Sequence, residues 1–316
     1  MTASFAPCGL VVGHATDVAG ATGCTVVRGD ARPFRCAAHV LGRATGTRET
    51  ALLHPAHMVD RVDAILLAGG SAYGLNAAAG VMQWMEERER GFAVGAGVVP
   101  IVPGAVVFDL APLGRFDARP TPHMGYDACE QATAAPLEGS VGAGTGATVG
   151  KAAGPAGAMK GGVGIGAADA GDVVVRALAV VNALGDVRDA NGRIIAGART
   201  ANGEWLDSAA WLAHGAGEPR RFESVAGHNT TLCVVSTNIA LDRVALGSTA
   251  RAASAALYRR ITPVGTSFDG DVIFATAPTA SELVAPPAQV EALAVEALEM
   301  AIERAVRTRA PGDTLS

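Results

Sequence analysis

No CxxC pair occurs among the five cysteines, Cys8, Cys24, Cys36, Cys129 and Cys233. Their odd number and wide spacing exclude a disulfide framework or a cysteine-based zinc site, and buried reduced thiols are the expectation. His54-Pro-Ala-His57 has a spacing that some metal sites use, but a proline interrupts it and no Cys or Glu pair lies nearby. No metal or other cofactor is therefore expected. No stretch approaches about eighteen apolar residues without glycine or charge, which excludes a membrane-spanning helix. No basic run is present and the net charge is −5, which argues against a nucleic-acid partner. The opening MTASFAPCGLVVGHATD has neither a basic nor an apolar leader segment. No secretory signal is expected, and the expected location is cytoplasmic. Aromatics are 4% and charged residues 17%, against 49% hydrophobic residues and 40 glycines. Such a composition points to closely packed layers and away from disorder.

Along the chain, GLVVG, CTVVR, CAAHV and AILLA between residues 9 and 68 read as short strands separated by turn residues. The period then changes. Leu75, Ala78, Ala79, Met82 and Met85 recur at helical spacing, with Ser71 placed to cap the helix and Gly91 to end it. VVPIVPGAVVFDL and DVVVRALAVVNALGDV read as further strands, and the glycine-dominated run 139–164 lies between them. Residues 194–224 lack a clear period and suit a surface loop. TLCVVST is a strand, ALDRVALGSTARAASAALYRR a helix, SFDGDVIFATA a turn and strand, and AQVEALAVEALEMAIERAVRTR an amphipathic helix before Pro311 and Gly312. This alternation of sheet runs and helices suggests a layered architecture of both.

Motifs of nucleotide chemistry fail on inspection. GATVGK at 146–151 has three residues between its glycines where a phosphate loop has four, and Ala152 follows Lys151. GAGTGA at 142–147 imitates a dinucleotide fingerprint, but no clear strand leads into it. Gly69-Gly70-Ser71-Ala72-Tyr73-Gly74 is one residue too long for a nucleophile elbow.

What remains is Lys151 among glycines, Asn182 at the end of an apolar strand, Asn229-Thr230-Thr231 opening a strand, and Asp269-Gly270-Asp271 opening another. Each alone suits a surface position or a turn. Together they are the parts of an acyl-transfer site. A threonine hydroxyl holds its proton too tightly to attack at neutral pH without a base in reach. Scission between Asn229 and Thr230 would leave an α-amine on the residue that carries the hydroxyl. An α-amine has an ordinary pKa near 8, so a good fraction is neutral at pH 7 and can take the hydroxyl proton.

The segments LLAGGSAYGLNAAAGVMQWMEE, GFAVGAGVVPIVPGAVVFDL, VGAGTGATVGK with KGGVG, LAVVNALGDV, GHNTTLCVVSTN and FDGDVIFATA resemble, in order, the DmpA-type aminopeptidases. That family includes the β-peptidyl aminopeptidases and the nylon-oligomer endohydrolases. The resemblance implies an α+β fold, a four-layer αββα sandwich related to the N-terminal nucleophile hydrolases. It implies one domain over 1–316, self-cleaved into 1–229 and 230–316, and a homo-tetramer. By position Thr230 resembles the family nucleophile, with Asn229 before the cut. Asn182 resembles the oxyanion-stabilising asparagine, and Lys151, Asp269 and Asp271 resemble the residues around the nucleophile in the nylon-hydrolase branch. The chain departs at Phe108, where the family has a tyrosine, and at His228, where a glycine is often found. The implied activity is hydrolysis of small peptides or amides. Acyl transfer of the ornithine-acetyltransferase type, or a silent homologue that keeps only the fold, are the alternatives.

Overall fold

The computed structural model describes residues 3–215 and 229–308. His228, residues 216–224 of the expected surface loop, and the Pro311–Gly312 stop lie outside them.

The first sheet is built from β1 (Leu10–Asp17), β2 (Thr22–Gly29), β4 (Thr47–Arg48), β5 (Ala64–Ala68) and β6 (Gly104–Val106), in spatial order β1-β2-β5-β6-β4. The second is built from β3 (Arg35–Val40), β7 (Gly162–Ala170), β8 (Val173–Asn182), β9 (Thr230–Thr237) and β10 (Val272–Ala277), in order β7-β8-β9-β10-β3. All neighbours are antiparallel except β5 with β6 and β9 with β10.

Side-chain alternation explains why the two sheets stack. In β8, Leu178 and Val180 join β9 residues Leu232 and Val234 in a core shared with Val27, Ile65 and Leu67 of the first sheet. Their neighbours Val175, Ala177, Ala179, Val181, Cys233 and Val235 point the other way, into a second core. Both faces are apolar because both are covered, so these strands read as unbroken hydrophobic runs.

The outer faces carry the helices. Helices α1 (Ala78–Glu86) and α2 (Pro122–Glu130) cover the first sheet, through Val81, Trp84, Met85 and Ala128 against Val26, Leu66 and Ala68. A short helix, α3 (Ser208–Ala213), precedes the long pair α4 (Arg243–Arg260) and α5 (Pro287–Arg307). These two cover the second sheet with Leu246, Ala250, Leu257, Val290, Ala294, Leu298 and Ile302. Three buried cores thus separate four layers in the order αββα. Among the described residues no helix is long and apolar enough to cross a membrane, and all five cysteines are buried and unpaired.

Three readings of the sequence need correction. Strand β7 begins at the end of the glycine run, 139–164, and extends to Ala170, a stretch that sequence alone left without structure. Its alternation is glycine against β-branched residue, and the helix α5 lies on the glycine side. A Cβ at Gly164 would sit 2.0 Å from the Ala301 carbonyl oxygen, and one at Gly166 1.8 Å from that of Ala297. The missing side chains let a helix backbone rest on a strand backbone. Second, Ser71 does not cap a helix. It is the first residue of a 3-10 helix, Ser71–Ala77, whose N-cap is Gly70 and which has no side-chain cap hydrogen bond. The α-helix begins only at Ala78. Third, part of the expected 194–224 loop is anchored. Buried Asp186 accepts hydrogen bonds from Ala198 N (2.8 Å), Ser208 N (2.6 Å) and Ser208 Oγ (2.7 Å).

Candidate active site

The end of β8 and the starts of β9 and β10 meet at one edge of the second sheet. Asn182, the last residue of β8, is the register partner of Thr230, the first of β9. Asn229 forms a parallel bridge with Asp269, and Gly270 N donates to the Asn229 carbonyl at 2.9 Å. The Thr230 hydroxyl donates to that same carbonyl oxygen at 2.6 Å. Thr231 N donates to Asp271 Oδ1 at 2.6 Å.

The segment that follows β3 closes the far side. Leu41 N and Gly42 N donate to the Asp271 carbonyl, and Arg43 N and Ala44 N to that of Asp269. This strap needs glycine where it crosses, since a Cβ at Gly42 would lie 2.3 Å from Asp271 N. Gly270 is equally constrained: a Cβ there would lie 2.7 Å from Thr230 Oγ1 and 2.6 Å from the Ala44 oxygen.

Lys151 arrives from the glycine run. Gly150, at φ 71, turns the backbone, and Gly150 N and Lys151 N bond the carbonyls of Gly185 and Leu184 just past β8. The ammonium then donates to Asn182 Oδ1 at 2.8 Å and to the Asn182 carbonyl at 3.1 Å. Thr148 N donates to Asn182 Oδ1 at 3.0 Å, and Asn182 Nδ2 donates to the Phe108 carbonyl at 3.0 Å. Two donors on Oδ1, one of them cationic, fix which way the amide faces and polarise it. Phe108 therefore meets Asn182 through its backbone, which no side chain at that position would change.

All the charged and polar side chains expected at the site are buried: Lys151, Asn182, Asn229, Thr230, Asp269 and Asp271. Burial sets their protonation. It pushes Lys151 down to about 7, with Asp269 opposing. It pushes Asp271 up to about 8, and the neighbouring Asp269 adds to the rise. Asp269 is also raised by burial, against the two hydrogen bonds from Thr266 and the charge of Lys151. A cation, one carboxylate and one protonated carboxyl is the arrangement that buries least uncompensated charge.

Sequence reasoning singled out each of these side chains, and the fold brings them together at one sheet edge. It missed the two backbone donors, Gly270 N and Thr148 N. The glycine between two acids was the only available sign of the first, and nothing in the residue types marks the second. His54 and His57 are exposed and stand edge to face with ring centroids 6.3 Å apart. Among the described residues there is no group of three or more His, Cys, Asp or Glu side chains placed to hold a metal ion.

The model of peptidase family S58 matches residues 8–310. The chain belongs to that family. An uncharacterized aminopeptidase of Mycobacterium bovis is 46% identical over 257 residues, 79% of this chain and 72% of that one. A 6-aminohexanoate-oligomer endohydrolase of a Kocuria strain is 30% identical over 285 residues, 88% of this chain and 76% of that one. Among solved structures, the L-aminopeptidase D-Ala-esterase/amidase of Ochrobactrum anthropi, described as a new variant of the Ntn hydrolase fold, superposes with a TM-score of 0.69 at 18% identity. The match covers 96% of this chain and 86% of that one. A β-aminopeptidase of a Burkholderia species gives 0.66 at 19% identity, covering 94% and 84%. The S58 chain is thus a hydrolase of peptide or amide bonds with an Ntn-type αββα fold.

Proposed function

We propose that the chain is a self-processing amidohydrolase whose nucleophile, Thr230, is released as a new N-terminus by scission of the Asn229–Thr230 bond. The observation that carries this reading is the double engagement of the Asn229 carbonyl. Its oxygen takes the Thr230 hydroxyl at 2.6 Å and Gly270 N–H at 2.9 Å. The hydroxyl lies against the carbonyl it would attack, and a backbone donor already faces the oxygen that would become the oxyanion.

In the first step Thr230 Oγ adds to the Asn229 carbonyl carbon and gives its proton to a base. That base is not the Thr230 amine, which does not exist in the uncut chain. Lys151, whose amine rests on Asn182, the register partner of Thr230, and which burial holds at about 7, is the group suited to the role near neutral pH. The tetrahedral species collapses with loss of the peptide nitrogen, which takes a proton. An ester then joins the Asn229 acyl group to Thr230 Oγ. Water hydrolyses it, leaving a carboxylate on Asn229 and both amine and hydroxyl on Thr230. The products are chains 1–229 and 230–316.

In turnover the new amine takes the hydroxyl proton, and the cationic form of nearby Lys151 disfavours protonation of that amine by like-charge repulsion. Thr230 Oγ attacks a substrate amide, and the Asn182 amide donates to the oxyanion. Asp269 and Asp271 hold the segment that carries the hydroxyl. In the uncut chain Thr230 is only 3% exposed, so substrate entry follows the cut. Suitable substrates are short peptides or linear amides with an amino end, a class that includes the amino-acid and 6-aminohexanoate chains in the names of the relatives. The family resemblance further supports a homo-tetramer, which sedimentation of the processed protein checks.

Thr230→Ala tests the scheme: it should remain one chain on a denaturing gel and release no product from amino-acid anilides, β-peptides or amide oligomers. A variant that still divides at the same bond overturns it. Transfer of the acyl group to an added amine in preference to water would make the protein an acyltransferase.

A further inference from the structure

In the proposed turnover the Asn182 amide donates to the oxyanion, so its direction decides how well that charge is met. The amide is held from two sides. Thr148 N donates to Oδ1 at 3.0 Å, and Nδ2 donates to the Phe108 carbonyl at 3.0 Å. A planar amide fixed at its oxygen and at one N–H has its second N–H aimed as well. Neither of these two holding groups is a side chain, so each is only as well placed as the backbone that carries it.

Asp109 touches both of those backbones. It follows Phe108 directly, it is buried, and its carboxylate takes two hydrogen bonds. Gly70 N donates to Oδ1 at 2.6 Å and the Thr22 hydroxyl to Oδ2 at 2.7 Å. Thr22 opens β2 and Gly70 lies in the turn after β5, so the residue behind Phe108 is pinned to two strands of the first sheet. The same turn holds the residue in front, since Ser71 N donates to the Val107 carbonyl at 2.9 Å.

On the Thr148 side the contact is by packing. Gly146, two residues before Thr148, lies so close that a Cβ there would stand 2.7 Å from the Asp109 Cβ. Lys160, the register partner of Thr148, ties this run together by donating to the Gly144 and Ala147 carbonyls at 2.7 Å and 3.3 Å. Burial pushes the Asp109 carboxyl up to about 6, against its two hydrogen bonds and the charge of Lys160. Near pH 8 it is therefore ionised and accepts from both donors. An apolar side chain would fill the same space without the cost of burying a charge, but it could not tie these segments together.

We propose that Asp109 is a positioning residue for amide turnover. By tying β2 and the turn after β5 to the backbone beside Phe108, and by packing on Gly146, it sets the direction of the Asn182 amide. The proposal rests on the reading of Asn182 as the oxyanion donor in turnover. It also separates turnover from scission, because the carbonyl attacked in scission is met by Gly270 N, on a different segment.

The test measures scission and anilide hydrolysis at pH 8, with turnover referred to the amount of cut chain. Asp109→Ala should lower kcat by about 10- to 100-fold, leave KM within about twofold and slow scission less than about threefold. Asparagine can accept from Gly70 N and donate to the Thr22 hydroxyl, so Asp109→Asn should recover all but about threefold of kcat. Thr22→Val keeps the volume and removes one bond of the two, so its kcat should fall between, and it carries the same comparison if Asp109→Ala does not fold. In an Asn182→Ala background, either change should cost less than about twofold more. Equal losses in scission and kcat, a higher KM with kcat unchanged, or losses that simply add to that of Asn182→Ala overturn the positioning role. A wild-type chain that hydrolyses the anilide uncut removes the Thr230 reading, and the coupling of Asp109 to Asn182 is then read from kcat alone. A wild-type chain that hydrolyses no anilide, β-peptide or amide oligomer overturns both.

Discussion

Many close approaches in this molecule depend on glycine, and two of them differ in what stands opposite. At Gly164 and Gly166 a Cβ would meet helix carbonyls, 2.0 Å and 1.8 Å away. At Gly270 it would meet a hydroxyl, Thr230 Oγ1, at 2.7 Å and the Ala44 carbonyl at 2.6 Å. The first contact lets α5 lie flat on β7 and belongs to packing. The second leaves room for a nucleophile beside its own peptide bond and belongs to chemistry. The same missing atom serves stability in one place and reactivity in the other, and only the neighbouring atom tells them apart.

Substitution at the two places should therefore separate folding from processing. Gly270→Ala should slow scission by about 10²–10³, as loss of an oxyanion donor's alignment commonly does. Its melting temperature should also fall below that of Thr230→Ala, since the added Cβ meets the Ala44 carbonyl at 2.6 Å, but by less than at Gly166, where the contact is closer. The time course of the two fragments on denaturing gels measures the first effect and thermal unfolding the second. A Gly270→Ala protein cut at the normal rate would erase the contrast. Gly166→Ala should affect stability alone. Overpacking against a helix backbone should cost about 3 kcal/mol of stability, while the folded fraction still divides. Denaturant unfolding and the same gel assay read both.

The site itself can be sharpened by pH. Burial holds Lys151 at about 7. If its neutral form takes the Thr230 proton, scission should speed about tenfold per pH unit below that value and level off above it. Lys151→Met should be slow and flat across the same range. Timed intact-mass spectra at each pH give the profile, and an unchanged slope in the variant removes Lys151 as the base. The smallest effect concerns Asp271, raised to about 8 by burial and by Asp269. The folded chain keeps a proton there that the unfolded chain releases above about 4. This group therefore weakens folding progressively as pH rises from about 4, with the full loss above about 8. In a Thr230→Ala background, Asp271→Asn keeps an acceptor for Thr231 N. It should melt a few degrees higher than its parent at pH 8 and level with it near pH 4.

Most strands and the long helices were legible because their apolar residues repeat at a period of two or 3.6. β7 was not, because its glycine face carries no hydrophobic signal, and its meaning lies in Ala297 and Ala301 more than a hundred residues away. Ser71 was misread as a cap because residue type does not reveal that Gly70 takes the N-cap position. At the site, Thr230 could be reasoned from the need of a hydroxyl for a base. The convergence of Lys151, Asn182, Asp269 and Asp271 was implied by the family resemblance, since spacing in sequence does not encode which strand ends meet. Gly270 N and Thr148 N stayed hidden because a backbone donor has no letter of its own.

The central claim is that a cut before Thr230 creates the catalytic base. Intact-mass measurement and N-terminal sequencing of purified, active protein test it most directly. The account requires two fragments, one ending at Asn229 and one starting with Thr230. Full amidase activity from an unbroken chain, with Thr230 still joined to Asn229, would contradict it.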